Sequence, residues 1–235
     1  MNSKIAIFAE GQAELIFVRN MLYKWFDFNT YRIAFRCIEL NKGLTLDASV
    51  NVPYSIGNME QAEFAYLIVN VGNDESVLSS IRKNADRLKN KGYSKIIGLR
   101  DMYCDKYHEA CKTRIISNEL NQKFVDGAND AIHDLGLEDF VFHHFAIMEI
   151  EAWVLSFRKI HQKYGIDVDR EKIETELYHP TNKLTEALRA KGEKYGKHGH
   201  EIESLMGNID KEDFAELRDS NYSKSFSEFF KSIVS

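Results

Sequence analysis

The chain has 235 residues, 44% hydrophobic and 29% charged, with 31 lysines and arginines against 36 aspartates and glutamates, a formal net charge of −5. That length suits one large domain or a core with an appendage. The acidic balance argues against a non-specific DNA coat protein, and no run approaches the about 18 uninterrupted apolar residues of a membrane span. The N-terminus reads directly into structure without a signal-peptide pattern. Cys37, Cys104 and Cys111 form neither a CxxC pair nor a disulfide framework, so a reducing cytoplasm is the expected setting.

In chain order, KIAIFAE (4–10) reads as a fully buried strand. Residues 12–26 read as a helix with Ile16, Phe17, Leu22, Trp25 and Phe26 on its apolar side. YRIAFRCIEL (31–40) is β-rich, and 41–60, with Gly43, Pro53 and Gly57, reads as a loop. EFAYLIVNV (63–71) is a second buried run; Asp74 then reads as the N-cap of a helix that reaches about Lys91 and stops at Gly92. SKIIGLRD (94–101) is another buried strand, 112–134 a long helix ending near Gly136, and EDFVFHHFAIME (138–149) a further strand. At least one of its histidines, His143 and His144, reads as a core or supporting residue. From Glu151 the pattern turns helical and stays so to the end. The alternation predicts an α/β fold, a mostly parallel sheet flanked by helices over 1–158, with a helical C-terminal extension, 159–235, packed on it.

In open α/β sheets, function sits outside the carboxyl ends of the strands. Three predicted strands end there in acids. The first gives Glu10, with Glu14 one helical turn on; IIGLRDMYCD gives Asp101 and Asp105; AIMEIEAWVL gives Glu149 and Glu151. Gathered on one sheet edge, these carboxylates would repel one another unless cations were present. Oxygen-only ligands suit Mg²⁺ or Mn²⁺. Each acid also has an ordinary reading. Glu10 could cap the following helix, Glu14 could be a solvated first-turn residue, and Asp105 a loop acid. Glu149 and Glu151 share a side only if the chain is still extended there; if a helix begins at Glu149 they diverge, and one is a cap.

HPTNKLTEALRAKGEKYGKHGHEI carries Lys183, Arg189, Lys191, Lys194, Lys197, His198 and His200 around Tyr195. Lysines and arginines in such a cluster contact phosphates, and an aromatic can stack a base. A lysine there, such as Lys197, could also stabilise charge in a phosphoryl transition state. The plain alternative is a solvated mixed-charge connection, since Glu186, Glu193 and Glu201 lie among the bases. His108 between Cys104 and Cys111 lacks the paired-cysteine spacing of a zinc site. Neither GxGxxG nor GxxxxGK[ST] is present, so ATP binding through a Rossmann or Walker cradle is not expected.

Glu10-Gly11-Gln12-Ala13-Glu14 ending a strand, followed later by Asp101 ending another, resembles the Toprim (topoisomerase–primase) fold, a Rossmann-like α/β arrangement. The resemblance implies metal binding or acid/base catalysis by the first glutamate and Mg²⁺ binding by a later DxD pair. Asp101 matches the first acid of that pair; Met102 and Tyr103 follow it, so Asp105, or Glu149 and Glu151, would have to substitute. Asp101-Met102-Tyr103, Glu149-Ile150-Glu151-Ala152-Trp153, Pro180-Thr181-Asn182-Lys183 and Tyr195-Gly196-Lys197, in that order, resemble the small stand-alone Toprim-like proteins of bacterial and phage-defence loci. These are similar to the nuclease half of OLD-type proteins and to RloB-like proteins.

The expectation is therefore a cytoplasmic, Mg²⁺- or Mn²⁺-dependent nuclease acting on DNA or RNA in anti-phage defence. The metal set would come from Glu10, Glu14, Asp101, Asp105, Glu149 and Glu151. Glu10 and Lys197 would assist the chemistry, and Lys183, Tyr195, Lys197 and His198 would hold nucleic acid. The expected partners are nucleic acid, a neighbouring ATPase and a second copy of the chain, with no membrane. The broken DxD motivates the alternative: a non-catalytic, effector-like partner of an OLD- or ABC-type ATPase.

Overall fold

The computed structural model describes residues 3–40, 45–73, 76–196 and 200–234. The predicted N-cap Asp74 and loop residue Gly43, with Lys197 and His198 of the basic stretch, lie outside these residues. The strands are β1 (Ser3–Ala9), β2 (Ile33–Leu40), β3 (Ser49–Asn51), β4 (Phe64–Asn70), β5 (Lys95–Asp101) and β6 (Val141–Ala146). The helices are α1 (Gln12–Trp25), α2 (Ser76–Asn90), α3 (Asp105–Ala110), α4 (Asn118–His133), α5 (Glu151–Ser156), α6 (Arg158–Tyr164), α7 (Ile173–Glu176), α8 (Pro180–Ala190), α9 (His200–Gly207), α10 (Lys211–Asp219) and α11 (Lys224–Val234). The fold is α/β, as expected. One six-stranded sheet has the order β3-β2-β4-β1-β5-β6. β1 runs parallel to β4 and β5, β2 parallel to β4, and β3 antiparallel to β2. Among the described residues, no helix is long and apolar enough to cross a membrane.

The chain divides into two compact units. The first comprises Met1–Arg100 and Gly127–His144, the second Asp101–Asp126 and Phe145–Ser235. The C-terminal helices thus share a unit with the segments that follow β5 and β6, and position 158 falls inside that unit.

In the first unit, residues 5–9 of β1 and 65–69 of β4 are buried without a break because helices cover both sheet faces. On one face α2 supplies Val77, Ile81, Ala85 and Leu88 against Ala6, Phe8, Ile38, Leu40, Leu67 and Val69. On the other face Tyr23 of α1 meets Phe35 of β2, ring centroids 6.1 Å apart. The chain leaves β1 for β2 in one direction and β4 for β5 in the other, so the carboxyl end of β1 lies at a topological switch point. Gly98 lets β5 pass beside a buried ring: a Cβ there would stand 2.7 Å from Cδ2 of His143.

The second unit is built on aromatic packing. Trp153 of α5 stacks on Phe229 at 5.3 Å and donates its indole N–H to Ser225 Oγ at 2.7 Å. Phe157 separates α5 from α6 with an extended ψ of 129°, and its buried ring meets Phe214 at 5.2 Å. Of the long helix expected over 112–134, only α4 (Asn118–His133) forms, and the short α3 precedes it outside that span. Between them Arg114 sits at φ 54°, Cys111 Sγ donates to Ile115 O at 2.8 Å, and Ser117 Oγ accepts the Leu120 amide at 3.2 Å as the cap of α4. These side-chain bonds offered the backbone an alternative to helix that periodicity does not register.

Candidate active site

The predicted acids fall into both units. In the first, Glu10 follows β1 directly, its amide donating to Leu99 O at 3.1 Å. Gly11 is the N-cap of α1, and Glu14, in the first turn, is only 4% exposed. A Cβ on Gly11 would lie 3.0 Å from Glu14 Oε2. The glycine between the two glutamates therefore makes room for a carboxylate folded back over the helix start, where the macrodipole favours negative charge. Glu14 is a buried acid, not a solvated one.

In the second unit, three acids are each held by a different donor. Asp101 ends β5 and is 4% exposed; its Oδ1 accepts the Ile150 N–H at 2.8 Å. That amide lies between Glu149 and Glu151. The turn after β6 is fastened to the chain beyond β5: Met102 N donates to Ala146 O at 3.0 Å and Tyr103 N to Met148 O at 2.7 Å. Met148 is fully buried and left-handed, with φ 64°. A non-glycine residue held there stores strain that its surroundings must offset.

The helix starts at Glu151, so the two glutamates diverge. Glu149 Oε2 accepts the Thr181 amide at 3.0 Å. It thereby caps α8, whose first residue is Pro180 and whose next amide requires an acceptor. Glu151 is fully buried, and its Oε1 accepts the phenolic O–H of Tyr195 at 2.5 Å. Asp101, Glu149 and Glu151 each have one oxygen oriented by a donor from a different segment. Buried carboxylates need such partners, and metal-ligating carboxylates are commonly oriented in this way.

The other predicted residues are placed differently. Asp105 is exposed at the first position of α3 and, among the described residues, makes no hydrogen bond or ion pair with the other acids. Lys183 is paired with Asp167 and, at 3.9 Å, with Glu186, both exposed acids. Tyr195 directs its hydroxyl at Glu151, a role the sequence reading, which cast it as a base-stacking ring, did not foresee. The amides of Ile150 and Thr181 were also missed. Pro180 was the available signal, since a proline opening a helix leaves the next N–H to be capped. Tyr103, named in the sequence only as part of the Asp101-Met102-Tyr103 motif, has its ring 5.6 Å from His179 and 5.7 Å from Tyr178.

His143 and His144 are half-buried side chains of β6. Burial, with Arg100 and then His144 nearby, lowers the His143 pKa to about 3, and burial with Lys95 lowers that of His144 to about 4. Cys111 spends its thiol proton on Ile115 O. Among the described residues, no three of His, Cys, Asp and Glu converge in a geometry that could hold a metal. No protein-family model, no curated protein and no solved structure matches the chain.

Proposed function

We propose that the protein is a divalent-metal-dependent phosphodiesterase acting on nucleic acid, DNA or RNA, in the manner of the Toprim-like nucleases it resembles, in a cytoplasmic, defence-related setting. The observation that carries this reading is the acids of the second unit after β5 and β6: buried Asp101, which accepts the Ile150 amide between Glu149 and Glu151, and buried Glu151, held by Tyr195. The donor set fits Mg²⁺ or Mn²⁺ in chemistry, being all oxygen. A three-residue cage is not required, because Mg²⁺ is commonly held by one or two carboxylates with water and substrate phosphate filling the other positions. Asp101 and Glu151 would hold the ion, while Ile150 and Tyr195 fix the carboxylate rotamers. The ion, when bound, supplies Lewis-acid neutralisation of phosphate charge. Glu10 and Glu14 belong to the first unit; by the resemblance, Glu10 would act in acid/base catalysis or, like Glu14, bind metal. Lys197 and His198 would contact phosphate.

The test is Mn²⁺ titration by calorimetry with a cleavage assay on single-stranded and duplex DNA and RNA, comparing wild type with Asp101→Asn. Asparagine keeps an oxygen for the Ile150 amide and removes the charge. Stoichiometric binding and cleavage lost in the variant support the reading; full activity in a folded Asp101→Asn protein overturns it.

A second reading is a non-catalytic partner of an ATPase, with a degenerate Toprim-like site. It is favoured by the missing second acid of the DxD pair and by the structural duty of each carboxylate, above all Glu149 as the cap of α8. It predicts no Mn²⁺ binding, no cleavage, and co-purification with an ATPase.

A further inference from the structure

The first unit contains a cleft of about 520 Å³ between α2 and the strands β1, β2 and β4. It lies near the start of β1. Lys4, which lines it, is six residues from Glu10, about 20 Å along an extended strand. This is a place distinct from the carboxyl end of the sheet.

Its cations occupy unusual positions. On β1, Lys4 shares a face with Ala6 and Phe8, and on β2, Arg36 shares one with Ile38 and Leu40; these apolar residues form the core under α2. In register, Lys4 stands opposite Ala65 and Arg36 opposite Leu67. Two strands thus switch from apolar to cationic on their core-facing side where the cover of α2 ends. Arg87, in the last turn of α2, and Lys91 just beyond it complete the cationic rim. A helix C-terminus by itself favours cations there, but that does not account for Lys4 and Arg36.

The counter-charges are weakly committed. Lys4 pairs at 2.9 Å with Glu60, whose side chain is 78% exposed, and Arg87 pairs with Asp47, 77% exposed. Exposed pairs of this kind contribute about 0–1 kcal/mol and exchange readily for a ligand anion. Among the described residues, Arg36 and Lys91 make no ion pair; Arg36 donates Nε to Asn51 Oδ1 at 3.0 Å. Ile38, Leu67 and Leu88 give the cleft an apolar floor, and Tyr93 is a half-buried aromatic wall. The wall bearing Asp47 is fixed, because buried Asn84 of α2 accepts the Leu46 amide at 3.0 Å.

We propose that this cleft binds an organic phosphate with a flat apolar body, the chemistry of a nucleoside monophosphate. The volume lies within the about 300–1,000 Å³ of small-molecule sites and exceeds what inorganic phosphate needs. Arginine recognises phosphate by two parallel hydrogen bonds; Arg36 and Lys91 receive the anion while the apolar floor and Tyr93 receive the ring. The site uses no glycine-rich loop.

Calorimetry with adenosine monophosphate, adenosine and inorganic phosphate tests this on wild type, Arg36→Glu and Lys91→Glu. Both positions are exposed, and circular dichroism verifies that the variants fold. Binding of the monophosphate, weakened at least about tenfold in each variant and on removal of either the phosphate or the base, is the expected result; a tenfold change is about 1.4 kcal/mol. No heat from folded wild type, equal affinity for inorganic phosphate, or unchanged affinity in both variants overturns it. The outcome is independent of the nuclease assay.

Discussion

The hydroxyl of Tyr195 donates to the fully buried Glu151 Oε1 at 2.5 Å, linking residues 44 apart in sequence. The end of the basic stretch is thereby tied to the start of α5. Tyr195→Phe removes the donor and leaves the ring. We expect a loss of about 1–3 kcal/mol, the cost of a buried charged acceptor that loses a partner. Urea unfolding midpoints of the two proteins measure it, and an unchanged midpoint would show the bond to be energetically idle.

Glu149 caps α8 through the Thr181 amide, 3.0 Å away. Glu149→Ala should therefore destabilise the protein by about 1 kcal/mol, the typical value of a helix cap. Glu149→Gln retains an acceptor oxygen and should lie near wild type in thermal melts. If both substitutions abolish Mn²⁺ binding while only the alanine lowers the melting temperature, capping and ligation are separate duties of one side chain.

Gly98 faces the ring of His143, and a Cβ would intrude to 2.7 Å. Gly98→Ala should cost about 1–3 kcal/mol through overpacking. The alanine variant carrying His143→Ala as well should recover part of that loss, which a double-mutant cycle in urea would measure. Full additivity would mean that the strand, not the ring, bears the strain.

Stability should fall in acid. His143 and His144 have folded pKa values lowered to about 3 and about 4, below an unfolded value of about 6.5. The unfolded chain therefore binds protons first. The contribution of these residues is complete above about pH 6.5 and is lost as pH falls towards the folded values, by up to about 1.4 kcal/mol per histidine per pH unit. Urea midpoints between pH 7.5 and pH 4.5 should decline, and less steeply in a folded His144→Gln protein. Equal slopes would remove His144 from the account.

Much of the architecture was legible in the sequence. The apolar runs at 4–10, 63–71 and 94–101 are buried strands to within a residue or two, because a parallel strand covered on both faces has no polar side to confuse the pattern. The acids after those runs were legible as well, since an ionised side chain directly after a buried strand marks the place where the chain leaves the core. Asp101, singled out at the end of the 94–101 run, is such an acid, and it is buried.

What each acid does was decided by partners far away in sequence. Glu149 and Glu151 look equivalent as letters; one caps a helix that starts at Pro180, the other receives Tyr195, and the helix that starts at Glu151 separates their directions. Lys183 read as a phosphate contact, and its ion pair with Asp167, 16 positions earlier, left no trace in the pattern. The positions of Lys4 and Arg36 under the end of α2 are not legible either, because the face a strand residue occupies follows from period two while the cover over that face does not. Local apolar pattern determined the strands of this protein. Long-range hydrogen bonds, which leave no periodic trace in a chain, decided its sites.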